Sequence, residues 1–364
     1  MRAVLMQSGE LWVDEVPDPE PKSGEVLVKS LACGICGSDL HALKSTDEFI
    51  RTSRETGGAF KLTNDSPVVL GHEFCAEILD YGPETARAWK VGTRVCSVPA
   101  LPGPQGTVSV GYSNDVPGGF AQLMRLSERL LVPVPDGLPT SYAALTEPMA
   151  VGLHAVAKAN LTGSEIPLVI GCGPVGLAVI AALKLSGVGP VLAADFSPKR
   201  RELAIAMGAD TVIDPGEDSP YGEWADVATV DERARGIALA ERSRSSLKPG
   251  VFFECVGVPG VIEQLMLGAP REGRIVVVGV CLQTDYFRPL IGVNKELSLQ
   301  FVLGYSVAEF EQTLVHIANG AIDVSPLVTG HTGLDGVPDA FDRLATPAGD
   351  AKILVLPWEE EAPK

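Results

Sequence analysis

The stretch VIGCGPVGLAV, Val169 to Val179, decides how this chain is read. A short apolar run ends at Gly171 and a helix-forming run begins at Pro174. Gly171, Gly173 and Gly176 therefore fall in a G-x-G-x-x-G spacing between a predicted strand and a predicted helix. Each glycine has a physical use there: a tight turn, close approach of the backbone to a pyrophosphate, and close packing of helix on strand. The helix that follows offers unpaired N–H groups and the positive end of its dipole to phosphates. Alone the motif is weak, because glycine-rich turns are common. Asp195 strengthens it, since it closes the next apolar strand 19 residues beyond Gly176. A carboxylate at that point accepts hydrogen bonds from an adenosine ribose and repels a 2′-phosphate, so NAD is predicted over NADP.

The texture of the chain differs on the two sides of this motif. Downstream, the apolar runs PLVIG, PVLAAD, TVID, VFFECVG, RIVVVGV and ELSLQFV alternate with helical segments at residues 174–186, at 198–207 and from Val258. Strand and helix in repetition predict a parallel sheet covered on both faces. Upstream, GEVLVKSLACG, SPVVLGHEFCAEILDYG, VGTRVCSVPA and RLLVPVP are short strands split by Pro and Gly, which predicts a β-rich or barrel-like unit. A helix at 307–318 and a closing strand, AKILVLP, are too little for a third domain and are expected to pack back on the first. The predicted fold is α/β, with domains at 1–150 and 151–303 and a returning segment at 304–364.

At 364 residues the chain suits two cores rather than one. A formal charge of −17 argues against nucleic acid or an anionic membrane as partner, because both call for a basic surface. No apolar run approaches the roughly eighteen residues of a membrane span, and the N-terminus lacks the pattern of a signal peptide. A cytoplasmic location is expected. The seven cysteines are odd in number and scattered, which reads as reduced thiols rather than a disulfide framework.

One short stretch, CGICGSDLH from Cys33 to His41, is dense in reactive side chains. A redox pair of Cys33 and Cys36 would need a helix start, whereas the flanks look strand-like and GSD looks like a turn. A structural zinc site would need two more ligands close by, and a buried free thiol is the ordinary fate of a cysteine. His72 and Glu73 in VVLGHEF change the balance, as does Glu147 before Pro148, where an extended segment is expected to meet a helix. Cys36, His72 and Glu147 make a mixed sulfur, nitrogen and oxygen set suited to zinc. Three protein ligands leave a fourth position for water or substrate, the layout of a catalytic site.

Taken together, CGICGSDLH, LGHE, EPMAVGLHA, GCGPVG and RIVVVG resemble, in order and spacing, the zinc-containing medium-chain alcohol dehydrogenase family over nearly the whole chain. The EPMAVGLHA segment is similar to the polyol, butanediol and threonine dehydrogenase branches. The resemblance implies an N-terminal GroES-like β-rich catalytic domain and a Rossmann, doubly wound, coenzyme domain, with the site in the cleft between them. It implies catalytic zinc on Cys36, His72 and Glu147, with Glu73 beside it or exchanging as a ligand. Ser38 and His41 would relay the alcohol proton to solvent. Coenzyme binding would fall to Gly171, Gly173, Pro174, Val175, Gly176, Asp195, Arg200, Val278 and Gly279. Family habit implies a homodimer or homotetramer.

Two departures stand out. Many members carry a four-cysteine structural zinc lobe after the region of Val95, where this chain has Cys96 alone, so one zinc per chain and no structural zinc is expected. The stretch from Lys44 to Ser66 is longer than usual, and reads either as a surface loop or as a roof over the substrate cleft. The expected reaction is reversible NAD-linked oxidation of a secondary alcohol, diol or polyol by hydride transfer to the nicotinamide. The alternatives are a zinc-free quinone or enoyl reductase and a non-catalytic NAD-binding protein of the same fold.

Overall fold

The computed structural model describes residues 1–103, 106–231, 233, 246–346 and 350–359; the acidic tail from Glu360 lies outside them. The chain forms two compact units. One holds residues 1–147, 310–320 and the chain from Leu327 onward; the other holds 148–309 and 321–326. The first division thus falls at Glu147, and the return begins at Phe310 rather than at Gly304.

The first unit opens with the hairpin β1 (Arg2–Gln7) and β2 (Glu10–Glu15), followed by β3 (Glu25–Gly34). The stretch expected as a turn is instead helix α1 (Gly37–Lys44), because the Asp39 carboxylate accepts the Cys36 backbone N–H at 2.9 Å and closes the helix start. Helix α2 (Thr46–Thr56) follows, so the long stretch after Lys44 is in part a helix that buries Phe49 and Ser53 and ends at Gly57 in the left-handed region. Then come β4 (Glu73–Tyr81), β5 (Arg94–Ser97), the small hairpin β6 (Ala100–Gly103) and β7 (Gly106–Ser109), β8 (Leu123–Ser127) and β9 (Leu131–Pro133).

Helices α3 (Thr140–Ala143) and α4 (Thr146–Lys158) lead out of this unit. Glu147 was expected at the end of an extended segment. It lies instead in the first turn of α4, where the N–H that Pro148 lacks would have had no partner in any case.

The second unit is built on β10 (Ile166–Ile170), α5 (Pro174–Ser186), β11 (Leu192–Ala194), α6 (Pro198–Ala206), β12 (Thr211–Ile213), α7 (Pro220–Ala228), β13 (Gly250–Glu254), α8 (Val261–Gly268), β14 (Arg274–Val277), α9 (Pro289–Lys295) and β15 (Ser298–Phe301). The six strands are parallel in the order β12-β11-β10-β13-β14-β15. The order reverses between β10 and β13, and Gly171 to Gly173 lie at the carboxyl end of β10, the crevice where ligands of such sheets bind. The wholly buried run Phe252, Ile275, Leu168 and Leu192 explains why these strands read as continuous apolar sequence rather than alternation.

The chain then passes through α10 (Val307–Ala318), β16 (Val328–Thr332), α11 (Val337–Leu344) and β17 (Lys352–Val355). The main sheet of the first unit runs β16-β17-β3-β4-β5-β9, with β8 also on β3. In its register Gly34 faces both Glu73 of β4 and Leu354 of β17, so the end of β3, the start of β4 and the start of β17 converge. The site is assembled at that point.

Candidate active site

Cys36 follows β3 directly and caps α1, while His72 and Glu73 open β4. Gly71, at φ +101°, supplies the left-handed turn that delivers His72; a Cβ there would lie 2.7 Å from the Phe120 ring and 2.9 Å from the Cys33 sulfur. Gly34 is required for a different reason: a Cβ would sit 2.1 Å from Glu73 Oε2. The thiol of Cys36, the imidazole of His72 and the carboxylate of Glu73 offer ligand atoms all within 4.8 Å of one another. Nδ1 of His72 is buried and makes no hydrogen bond, with Asp39 Oδ1 standing 3.5 Å away. A sulfur, nitrogen and oxygen donor set around an imidazole backed by a carboxylate fits zinc. Burial alone would lower the pKa of His72, but Asp39 and Cys36 outweigh it and hold it well above the usual histidine value.

Glu73, expected beside the metal, is inside this group, and Glu147 is outside it. Glu147 is buried, and its charge is felt at Lys352. Lys352, at the start of β17, is 1% exposed and donates to both Glu73 oxygens at 2.7 Å and to the Ile35 carbonyl at 3.0 Å. Burial would lower its pKa, yet Glu73, Cys36 and Glu147 raise it above the ordinary lysine value, so it stays charged. Cys33 is fully buried and its thiol is pushed well up by burial and by Asp39 and Glu73, which keeps it protonated and apart from the ligand set.

Ser38, half-buried on α1, lies 2.8 Å from the hydroxyl of Tyr112, which also reaches Asp39 Oδ1 at 2.9 Å. No hydrogen bond joins Ser38 to His41 among the described residues; the two stand three positions apart on α1, on one face of the helix. Burial, then the nearby Lys44, lowers the pKa of His41. Tyr112 is itself held by rings: Phe49 from α2 at 5.3 Å, Phe60 at 4.7 Å and His72 at 5.1 Å between centroids. The long stretch after Lys44 therefore contributes to the wall behind the candidate metal ligands.

In the second unit the three glycines of the loop differ as their spacing predicts. Gly171 has φ +91°, and a Cβ on Gly176 would lie 1.8 Å from the Gly171 carbonyl oxygen, whereas around Gly173 there is open space. That space opens at the N-terminus of α5, a 13-residue helix with Pro174 in its first turn, and suits a pyrophosphate. The Asp195 carboxylate accepts from Cys172 N at 2.9 Å and Ser197 N at 2.8 Å, with Arg200 at 3.9 Å, which fixes it at the edge of the loop. Pro174 and Val175 are partly exposed beside it. Val278 and Gly279 donate backbone N–H groups to the Glu254 carbonyl at 2.9 Å, which holds the turn after β14 against the end of β13.

Sequence reasoning missed Lys352, Asp39 and Tyr112. Asp39 carried a signal, since it stands three residues after Cys36 in a capping-box position. Lys352 and Tyr112 carried none, being 279 and 74 residues from their partners Glu73 and Ser38.

Residues 22–136 match the GroES-like domain of alcohol dehydrogenases, and residues 174–319 match the zinc-binding dehydrogenase family. The chain is 32% identical to the (R,R)-butanediol dehydrogenase of Bacillus subtilis over 96% of this chain and 97% of that one. It is 29% identical to the sorbitol dehydrogenase of the same organism over 98% and 96%. The crystal structure of 2R,3R-butanediol dehydrogenase from Bacillus subtilis superposes with a TM-score of 0.78, at 30% identity over 98% of this chain and 99% of the other. A zinc-binding dehydrogenase from Sinorhizobium meliloti bound to NADP gives the same TM-score at 25% identity over 98% and 99%. The chain belongs to the zinc-type medium-chain alcohol dehydrogenase family. It is an oxidoreductase of the GroES-like plus Rossmann architecture that uses zinc and a nicotinamide coenzyme.

Proposed function

We propose that this enzyme oxidises a secondary alcohol carrying a neighbouring hydroxyl, a vicinal diol or polyol, with NAD as acceptor, and works as a homo-oligomer in the cytoplasm. The observation that carries the reading is the convergence of Cys36, His72 and Glu73 at one point of the sheet, beside two further buried groups, Asp39 and Lys352. Similarity to enzymes named for butanediol and sorbitol supports the substrate class.

Cys36, His72 and Glu147 would hold zinc. Lys352 clasps both oxygens of Glu73 and keeps that carboxylate in reserve as an exchanging ligand. When bound, zinc lowers the pKa of an alcohol hydroxyl so that hydride can leave its carbon for the nicotinamide. Asp39 fixes the Cys36 backbone through its N–H and stands behind the His72 ring. Ser38 takes the alcohol proton as it gives up its own, and His41, three positions further along the same helix, is the outer proton acceptor. Gly171, Gly173, Gly176 and the start of α5 hold the pyrophosphate; Asp195 and Arg200 take the ribose; Pro174, Val175, Val278 and Gly279 line the coenzyme path.

A panel of alcohols followed by NADH absorbance tests the reading, alongside metal analysis. Turnover of vicinal diols or polyols, one zinc per chain and a preference for NAD are expected. Asp195→Ser should cost about ten- to hundred-fold in NAD efficiency, the scale of a charge-assisted hydrogen bond, and narrow the preference. Two tightly held zincs, or equal use of NADP by the unmodified enzyme, would overturn the corresponding part.

A further inference from the structure

Glu254 closes β13 and is 2% exposed, yet among the described residues no cation pairs with it. Its carboxylate folds back on the chain that follows, Oε1 accepting the backbone N–H of Val256 at 2.7 Å and of Gly257 at 2.8 Å. Burial pushes its pKa up; the N–H groups of Gly257, Val256 and Gly279 oppose the rise, and the charge of Asp285 adds to it. A buried acid held by backbone amides is a cost that an ordinary strand end does not carry, and such costs are expected at functional sites.

Two turns meet at this side chain. The turn at 255–257 begins with Cys255, whose N–H donates to the Ile170 carbonyl at 2.9 Å, and ends at Gly257 with φ +71°. A Cβ on Gly171 would lie 2.8 Å from Val256 Cγ2, so this turn lies against the glycine loop. The turn at 278–280 lies on its other side: a Cβ on Gly279 would stand 2.5 Å from Gly257 N and 2.6 Å from Glu254 Oε2. The Glu254 carbonyl holds that second turn as well, accepting from Val278 and Gly279 at 2.9 Å. One residue therefore sets the spacing of both turns.

A dinucleotide crosses such a sheet from one mononucleotide-binding half to the other. With Asp195, after β11, taking the adenosine ribose and Gly173, after β10, facing the pyrophosphate, the remaining half of the coenzyme runs over β13 and β14, where these turns lie. We propose that Glu254 is a positioning residue for the nicotinamide half of the coenzyme, holding the turns at 255–257 and 278–280 at the spacing that half requires. It touches no reacting atom and acts only through the two turns. The inference rests on the proposed function, which places Val278 and Gly279 on the coenzyme path.

The test compares, by calorimetry on the zinc-loaded enzyme, the binding of NADH with that of ADP, which carries the adenosine and both phosphates but no nicotinamide nucleoside. Glu254→Gln keeps the volume but sets an amide N–H2 against backbone N–H groups that now face an oxygen. It should weaken NADH by about ten-fold, the low end for a hydrogen bond to a charged group, and leave ADP within about two-fold. Should that chain not fold, Glu254→Asp, which keeps the charge but draws it back from Gly279, is read in the same way. Gly279→Ala crowds the same carboxylate from the other turn and should show the same split, and the double substitution should cost no more than the larger single one, because both disturb one spacing. Equal loss of ADP and NADH, as a general weakening of the unit would give, unchanged NADH affinity, or fully additive losses would overturn the inference and leave the proposed function standing. Failure of the unmodified enzyme to bind NADH while it holds zinc would overturn the proposed function and this inference with it.

Discussion

Lys352 is the residue on which the site's electrostatics turn. A lysine 1% exposed is tolerated chiefly because Glu73, itself fully buried, takes its charge through two hydrogen bonds, with the Ile35 carbonyl accepting a third. Removing one member leaves the other as an unpaired buried ion. Lys352→Met should therefore destabilise the protein by about 3–5 kcal/mol, and Lys352→Met with Glu73→Gln should recover most of that loss, both read from denaturant midpoints. If the single substitution were silent, the pair would not be holding the site together. His41 gives a second test at this scale. Burial, then Lys44, lowers its pKa below the ordinary 6.5, so its imidazole is neutral at pH 7 and charges only in more acid solution. An outer proton acceptor must be neutral, so turnover should decline on the acid side below about pH 6.5. His41→Ala should abolish that limb at a cost of about 100-fold or less, with imidazole buffer restoring part of the rate. An unchanged pH profile would remove His41 from the proton path.

Among the elements, α4 and β14 are joined by a carboxylate whose ionisation stabilises the second unit. Glu165 is 1% exposed; burial opposes its charge, but the backbone N–H groups of Thr162 and of Glu165 itself, the Arg274 guanidinium and the Thr162 hydroxyl outweigh this and hold its pKa at about 2 against an ordinary 4.5. Arg274 opens β14 and also donates to the Ala159 and Asn160 carbonyls just past the end of α4. Because the folded pKa is the lower one, the stabilisation is complete above pH 4.5 and is lost as pH falls from there toward 2. The shift corresponds to about 3 kcal/mol. Glu165→Gln should lower the melting temperature at pH 7, with the gap to the unmodified protein closing between pH 4.5 and 2. A gap constant with pH would show that the carboxylate's charge contributes nothing.

For the whole molecule, the acidic balance and the parallel sheet bear on assembly. Strand β15 pairs only with β14 among the described residues, and Phe301 and Leu303 at its end are 58% and 84% exposed. An edge strand with unpaired backbone groups and large exposed apolar side chains is a surface that another strand or another subunit can cover. Sedimentation velocity should find a dimer or tetramer at micromolar concentration, and Phe301→Glu with Leu303→Glu should shift it toward monomer while zinc content stays the same. A monomeric unmodified enzyme would overturn the expectation of a homo-oligomer.

What the sequence determined by itself is what depends on neighbours a few residues apart. The turn at Gly171, the tight approach at Gly176, the open side at Gly173 and the position of Asp195 after the next strand all follow from one βαβ unit, and the order of strands and helices followed from apolar periodicity. Cys36 and His72 were legible because each sits in a short segment of unusual composition. The helix at α1 was misread as a turn because its start depends on the Asp39 carboxylate folding back on Cys36. The place of Glu147 was misread because proline preference at an extended junction yields to proline preference in a first helical turn. Lys352, Tyr112 and the ring wall from α2 were illegible because a strand pairing or a ring stack joins residues dozens to hundreds of positions apart, and spacing along the chain carries no record of it. Tertiary structure alone decided that Glu73 lies beside Cys36 and His72, that Lys352 neutralises it, and that the Tyr112 hydroxyl stands against Ser38. Each of these is a matter of burial, where an ionised or polar group persists only beside the partner that the fold brings to it.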